Sequence, residues 1–323
     1  MDFFRYNKVY DFVRYGTYGI CISFVLLICV FVLIFVKGIN LGVDFAGGNI
    51  VQILYPDSRE APITSIRSVI NKSNNFKDVQ ITEFGSKNEI VIKFRLNDDS
   101  VNVTDLIVSE LSNTGNFEVR RVDVIGPKAG SELVKKGVMA LSLAIISIMI
   151  YVSFRYEWRF ALAGIIALIH DVVISGASII LFNIDFSLGV VAALLTLIGY
   201  SINDTIIIFD RIREQILSRK LDDMRFVINE AVSSTLSRTF LTSLTVFFVV
   251  FMLFIFGSDI LKGFTVPMLF GSIVGVYSSM FIAPKLAIMF GFNIREYYEK
   301  ENIKQRKRQE KEKLRKMYEQ GKV

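Results

Sequence analysis

The sequence predicts a polytopic α-helical membrane protein that carries one α+β domain with a ferredoxin-like order of elements. Apolar residues make up 52% of the 323 residues and charged residues only 21%, with a mean hydropathy of +0.46. A soluble fold of this composition would expose an unusually apolar surface. Six runs of sequence are long enough to cross a bilayer, which takes about 20 mostly apolar residues. The polar segment after the first run alternates strand-like and helix-like patterns.

The apolar runs divide the chain into five units. The first run exceeds the core of about 7–15 residues that a signal peptide has, so we expect an uncleaved span. The other five runs are expected at Leu133–Phe154, Phe160–Phe182, Ser187–Phe209, Thr239–Phe256 and Phe264–Phe290. The units are an N-terminus at 1–15, span one at 16–36, a polar domain at 37–132, a five-span bundle at 133–291 with a loop at about 210–238, and a basic tail at 292–323.

Basic residues predict how the spans are oriented. Lys and Arg concentrate before span one, between spans two and three, between spans four and five, and in the tail, which has eleven between 295 and 322. The loops at 183–186 and 257–263 hold at most one. Because Lys and Arg in short loops stay on the cytoplasmic side, we expect both termini in the cytoplasm and 37–132 outside. We interpret the tail as a solvated topology signal, with contact to anionic lipid or a ribosome as the alternative.

The polar domain is expected to follow the order β-α-β-β-α-β. Strands are predicted at 44–55, 79–84, 89–94 and 117–125, with a turn at 85–88 and helices at 62–74 and 104–111. This order is the ferredoxin-like pattern. Since no residues of the domain are arranged for catalysis, we expect it to contact or handle a partner.

Residue counts exclude several kinds of chemistry. His170 is the only histidine, so zinc sites built from several histidines cannot form. The chain has neither a P-loop nor a GxGxxG motif. We therefore expect no enzymatic activity, no cofactor and no metal. The net charge of +6 does not indicate nucleic-acid binding, because the tail alone, with eleven basic and six acidic residues, contributes +5.

Ionisable residues inside the spans are the strongest functional candidates. Each costs at least about 2.5–3.5 kcal/mol to insert, and such residues usually serve a function. In span four, the helical spacing places Asp204 near one face together with Thr196, Tyr200, Asn203 and Ile207.

Span five begins with Arg238, which shares a predicted face with Thr242 and Thr245. Asp204 and Arg238 come at comparable depths, so the two side chains are able to form an ion pair. If a movement separated them, the acid would take up a proton, and the reverse movement would release it. A static pair that fixes helix packing is an equally good interpretation of the spacing.

His170 and Asp171, near the middle of span three, form a second candidate. They could relay protons or form hydrogen bonds between helices, and on spacing alone we favour packing.

Four stretches of the chain resemble the SecF family of bacterial protein-export subunits. They lie at 43–48, 125–133, 199–214 and 236–245, with support from 275–279. The resemblance implies a six-span protein of the resistance-nodulation-division-like superfamily in the bacterial inner membrane, with its domain at 37–132 in the periplasm. It also implies a separate SecD chain and the SecY/SecE/SecG channel as partners, and use of the proton motive force to promote export of the emerging preprotein.

The resemblance also implies roles for particular residues. Asp204 and Arg238 match the membrane positions implicated in proton use, which makes a proton relay the favoured interpretation. Gly126, Pro127 and Gly130 match the join between the outer domain and span two, where a hinge would be needed. Auxiliary polar positions are His170, Asp171, Tyr200, Asn203 and Thr242. Two alternatives stay open: a structural subunit that does not move protons, and an exporter of small molecules or lipids.

Overall fold

The computed structural model describes residues 8–97, 102–219 and 223–319. In chain order its elements are α1 (Phe12–Lys37), α2 (Val43–Ala46), β1 (Gly48–Leu54), α3 (Ile63–Lys72), β2 (Phe76–Phe84), β3 (Ser86–Leu96), α4 (Val103–Leu111), β4 (Glu118–Ile125), α5 (Pro127–Arg155), α6 (Trp158–Leu181), α7 (Leu188–Arg219), α8 (Met224–Phe256), α9 (Lys262–Tyr277), α10 (Ala283–Met289) and α11 (Ile294–Glu319). Short 3₁₀ turns cover Ser112–Thr114 and Asp259–Leu261, and a π-helical turn, Ser278–Ile282, joins α9 to α10.

Six segments of the described chain are long and apolar enough to cross a membrane, which confirms the predicted number of spans. They are α1, α5, α6, α7, α8 and the continuous segment from Asp259 to Met289 that contains α9, the π-turn and α10. The apolar parts of α6, α7 and the last segment are mostly buried, whereas α1, α5 and α8 turn most of theirs outward. The centre of the bundle is therefore built from α6, α7 and α9.

The polar domain has the predicted β-α-β-β-α-β order. Its four antiparallel strands lie in the order β2-β3-β1-β4. Alternate residues of β1, such as Val51 and Ile53, are buried against Ile66 of α3 and Ile107 of α4. The helices thus cover one face of the sheet, as the strand alternation requires.

The first strand begins later than predicted. The expected strand at 44–55 is preceded by α2, and β1 starts only at Gly48. The side chain of Asp44 bonds the backbone N–H of Leu188 in the bundle (3.1 Å), which a strand starting at this residue would have to release. Gly47, with φ +79°, then turns the chain into β1.

The turn between β2 and β3 is also tighter than the predicted four residues. β3 already starts at Ser86, so that Gly85 alone, with φ +70°, separates the strands. A side chain at this position would strain the left-handed backbone.

The segment 210–238, expected as a loop, is largely helical. α7 continues to Arg219 and α8 begins at Met224. The two extensions pack together in one apolar cluster through buried residues: Ile208, Ile212, Ile216, Val227, Ile228, Ala231 and Val232. These residues recur at helical spacing, as in the sequence, where 221–236 fits an amphipathic helix. Residues 220–222 of this segment, 1–7 of the N-terminus and 320–323 of the tail lie outside the described residues.

The tail forms α11. Its first turns pack on the bundle, where Ile294 is buried and Arg213 pairs with Glu301 (2.9 Å). Pairs four residues apart, such as Lys300 with Glu296 (2.7 Å), support the exposed part of the helix.

Candidate functional site

Two pairs of polar residues point to different sides of α7. Tyr200 and Asp204 contact α8, whereas Ser201 and Thr205 contact α6 and the π-turn. Residues four apart share a helix face, and the adjacent pair is rotated by about 100°. One helix therefore connects two separate polar clusters at the same depth.

The first cluster is centred on Asp204, whose side chain is 1% exposed. Its Oδ2 accepts a hydrogen bond from Ser243 Oγ on α8 (3.2 Å), and Ser243 Oγ in turn accepts one from Tyr200 Oη (2.7 Å). The other carboxyl oxygen, Oδ1, is buried and has no hydrogen-bond partner within the described residues. One oxygen of this buried acid therefore lacks a hydrogen bond, which is costly for a carboxylate.

Arg238 does not pair with Asp204 in this conformation. Its side chain is exposed on α8, and no ion pair joins it to Asp204 within the described part of the chain. The buried face of α8 instead follows Thr235, Thr239 and Ser243. Arg238 lies one position away from this face, about 100° around the helix.

The polar residues that the sequence placed on one face of α7 and on one face of α8 do not all face the same neighbours in the structure. On α7, Asn203 is exposed, although Tyr200 and Asp204 beside it face α8. On α8, Thr242 is exposed and donates only to carbonyl oxygens of its own helix, those of Arg238 (2.9 Å) and Thr239 (3.0 Å). The sequence placed Thr242 on the face of Arg238, the expected partner of Asp204, but Ser243 makes the contact, because the buried face of α8 is rotated by one residue.

Replacing Ser243 tests this assignment. We expect Ser243→Ala to weaken the function that depends on Asp204, because it removes the hydroxyl between Tyr200 and Asp204. Thr242→Ala is the matched control, since its hydroxyl bonds only its own backbone. Gradient-dependent export of a secreted protein by membrane vesicles, the activity that the family resemblance implies, measures both. Equal losses in the two variants would contradict the assignment.

The second cluster is centred on Asp171 of α6, which is fully buried. Its Oδ2 accepts hydrogen bonds from Ser201 Oγ on α7 (2.5 Å) and Ser278 Oγ in the π-turn (2.7 Å). Its Oδ1 lies 3.0 Å from Nδ1 of His170. The sequence identified the acid and the histidine. It did not predict the two serines as their partners, because serine is common in spans and only the fold brings three helices together here.

Gly130 is packed tightly where α5 begins. A Cβ atom on Gly130 would lie 2.5 Å from the backbone oxygen of Phe45. Gly126 caps α5 with open space around it, and Pro127 occupies the first helical position. Of the three predicted hinge residues, Gly126 has room for a side chain and Gly130 holds α2 against α5.

The polar domain is attached to the bundle at the loop between α6 and α7. The backbone of Phe186 exchanges hydrogen bonds with Asn40 (2.8 Å) and Gly42 (2.9 Å). Gln80 of β2 donates to Oδ2 of Asp185 in the same loop (2.5 Å). The sequence did not predict this attachment, since it links residues about 100 positions apart through mainly backbone groups. The loop connects the two helices that carry Asp171 and Asp204.

No group of three or more His, Cys, Asp or Glu side chains that could hold a metal ion occurs among the residues that the structure covers.

Two family models match the chain. The model described as protein export membrane protein SecD/SecF, C-terminal, matches residues 107–293, and the SecD/SecF GG motif matches residues 32–55. The first match contains both polar clusters, and the second contains the glycine turn before β1.

Relatives of the chain also match the SecD/SecF family. The chain is 54% identical to the protein translocase subunit SecF of Helicobacter pylori (strain ATCC 700392 / 26695), over 100% of both chains. It is 37% identical to the subunit of the same name from Escherichia coli O157:H7, over 88% of this chain and 89% of the relative.

Solved structures with the same fold are longer chains. A crystal structure of SecDF from Thermus thermophilus, described as a translocon-associated membrane protein, matches with a TM-score of 0.75 and 29% identity over 88% of this chain. SecDF in a super-membrane-facing form matches with a TM-score of 0.68 and 29% identity over 95% of it. The chain spans 39% and 40% of the length of these two SecDF chains.

Proposed function

The chain belongs to the SecD/SecF family of protein-export membrane proteins, on its SecF branch, and from this premise we propose that Asp204 binds protons whose passage across the membrane drives protein export. A SecF chain is a multi-pass membrane subunit of the bacterial Sec translocase, and it associates with SecD and the translocon. The use of the proton motive force is the part that we add.

The finer partners and the orientation are also part of the proposal. The subunit works beside the SecY/SecE/SecG channel, and the polar domain meets the emerging preprotein on the periplasmic side. Both termini lie in the cytoplasm, as the basic residues of α11 and of the loops favour. The subunit moves protons and polypeptide and catalyses no bond-forming reaction.

The state of Asp204 is the observation that supports proton binding. The acid is buried and accepts a hydrogen bond from a neutral serine, while Arg238 is exposed and forms no ion pair with it among the described residues, although its charge acts on the acid. Burial favours the protonated form of an acid, and a closer approach of the arginine would favour the carboxylate. This burial and the single hydrogen bond support the proposal that Asp204 binds a proton in this conformation. Gradient-dependent export by an Asp204→Asn chain tests the proposal.

A purely structural role for the same residues is the alternative. A static pair that fixes helix packing would bring Arg238 against Asp204 and satisfy both carboxyl oxygens. The unpartnered Oδ1 and the exposed arginine favour a site that changes state over a fixed pair.

The attachment at 185–188 offers a route from the site to the polar domain. Asp204 lies on α7, and α7 begins at Leu188, whose N–H donates to the side chain of Asp44 in α2 (3.1 Å). Ring contact between Phe45 and Phe186 (centroids 5.4 Å apart) adds to this attachment. A shift of α7 along its axis would therefore move the first residues of the polar domain.

The contact between Asp185 and Gln80 should depend on pH. Burial raises the pKa of Asp185 above its usual value of 3.8, and this outweighs the hydrogen bond from Gln80. Protonated Asp185 therefore adds to the stability of the folded chain. This contribution is complete below the usual aspartate pKa of 3.8 and is lost as the pH rises through the raised pKa of the folded chain. We expect the thermal stability of the chain to fall less with pH in Asp185→Asn, because the amide has no proton to lose.

The measurement is thermal unfolding in detergent over a series of pH values that starts at the usual aspartate pKa of 3.8 and rises from there. Asp57→Asn, which changes an exposed carboxyl bonded to Asn116 in the same domain, should keep the pH trend of the unchanged chain. If the thermal stability of Asp185→Asn fell with pH as much as that of the unchanged chain, the contact between Asp185 and Gln80 would have no role in the pH dependence.

A further inference from the structure

A second ionisable pair lies on the other side of α7 from Asp204. The carboxyl group of Asp171 accepts hydrogen bonds from the hydroxyls of Ser201 and Ser278 at 2.5 and 2.7 Å, and the ring nitrogen Nδ1 of His170, a donor in the tautomer that carries its hydrogen there, lies at 3.0 Å. Such a set stabilises a carboxylate, because each donor points its hydrogen at a negative oxygen. The site is therefore able to hold Asp171 in its charged form.

The charge of this site is not balanced by a neighbouring cation. His170 is the one described residue whose charge acts on Asp171. With a neutral imidazole the buried pair has a net charge of −1, which is strongly unfavourable inside a membrane. Binding one proton removes the net charge, either on the carboxyl group, which becomes a neutral acid, or on the imidazole, which becomes the cation of an ion pair.

Two polar atoms beside the carboxyl group have no hydrogen-bond partner within the described residues. His170 is 5% exposed, and its Nε2 is buried and unpartnered. Ser175 Oγ, one helical turn beyond Asp171, is also buried and unpartnered. Buried polar atoms are nearly always satisfied, so two exceptions beside one acid need an explanation. A ring nitrogen with a free lone pair is a position that a proton can occupy.

We propose that the His170–Asp171 pair is a second proton-binding site of the membrane bundle, separate from Asp204. The inference goes beyond the proposed function, because the pair can bind a proton whether or not Asp204 carries the gradient-driven step. The titratable groups that face it are few. α6 contributes His170 itself, the end of α9 contributes Tyr277 (ring centroids 6.4 Å apart), and α7 presents the neutral Ser201.

The π-turn gives this site a means to act on the bundle. The single hydroxyl hydrogen of Ser278 has two acceptors within reach, Asp171 Oδ2 at 2.7 Å and the carbonyl oxygen of Gly275 at 3.1 Å. A charged carboxylate holds this hydrogen, and a protonated one releases it to Gly275. Ser279, the next residue, bonds Thr205 on α7 (2.9 Å), directly beside Asp204. Since π-turns in helices often mark functional sites, the turn provides a physical link between the two acids.

Infrared difference spectroscopy tests the proposal directly. The full chain with its SecD partner in lipid nanodiscs is taken from high to low pH, and the absorptions of the carboxyl, carboxylate and imidazole groups are recorded. We expect a band that is absent in Asp171→Asn and present in Asp204→Asn. A spectrum of Asp171→Asn identical to that of the unchanged chain over the whole range would overturn the proposal. Retention of gradient-dependent export by Asp204→Asn would instead refute the proposed function and leave this band unaffected.

A second variant decides the matter if Asp171→Asn does not fold. Ser278→Ala removes one donor to the carboxylate, so the Asp171 band should appear at a pH higher by about one unit. His170→Gln should also move this midpoint, because it removes the ring that shares the proton. Ser272→Ala is the matched control, since the hydroxyl of Ser272 bonds only Leu269 of its own helix (2.8 Å). An unmoved midpoint in both Ser278→Ala and His170→Gln would contradict proton binding at the pair.

Discussion

Asp204→Asn should abolish the part of protein export that depends on a proton gradient and leave the gradient-independent part intact. Asparagine keeps the size and the hydrogen-bonding capacity of the acid, so the bond from Ser243 can persist. It cannot bind and release a proton, which is the single property that the proposal requires. Inverted membrane vesicles with and without an imposed gradient measure export of a secreted protein.

Asp210→Asn is the control on the same helix. Asp210 is half-exposed and forms a long pair with Arg155 (3.4 Å). Exposed pairs of this kind contribute about 0–1 kcal/mol, so export should stay close to that of the unchanged chain. Similar losses in both variants would mean that any charge change on α7 disturbs export, and that Asp204 has no special role.

Gly130→Ala should disrupt the join between the polar domain and the bundle. The added Cβ would lie 2.5 Å from the backbone oxygen of Phe45 and 3.1 Å from the backbone nitrogen of Gly47. Backbone atoms cannot swing aside as the end of a side chain can, so α2 and α5 must separate. Overpacking of this kind costs about 1–3 kcal/mol. We expect a lower thermal stability and a several-fold loss of export.

Gly126→Ala provides the comparison for this change, four residues earlier. No atom lies within 4 Å of a Cβ built on Gly126, and its φ of −69° suits any residue. The expected cost is below about 1 kcal/mol, from the poorer helix cap alone. If Gly126→Ala proved the more damaging, the flexible point of the join would be Gly126, and the close contact at Gly130 would matter less.

The sequence predicted the helices and strands of this protein better than it predicted which face of each helix is buried. Six apolar runs gave the six spans, and alternation gave the ferredoxin-like domain, because both patterns depend on burial along one element. In the connection at 210–238 it indicated an amphipathic helix over 221–236 but ended span four at Phe209, because the charges from Asp210 onward are typical of a solvated helix end.

The site shows the same limit at the level of single residues. Asp204 and Asp171 were identified because ionisable groups are rare in spans. Their partners were not, since a rotation of α8 by one residue exchanges Thr242 for Ser243, and spacing cannot determine such a rotation. The contacts of Asp185 with Gln80 and of Asp44 with Leu188 join distant parts of the chain, so no local sequence pattern predicts them.

The central claim is that proton binding at Asp204 moves the polar domain relative to the bundle. Spin labels at two exposed positions, Lys87 in the domain and Lys262 at the start of α9, report this distance in a chain whose native Cys21 and Cys29 are replaced by serine. The labelled chain is reconstituted with SecD in vesicles, and the distance distribution is measured with and without a proton gradient. We predict that the gradient shifts the distribution when Asp204 is present and does not shift it in Asp204→Asn. The same shift in both chains would contradict the claim.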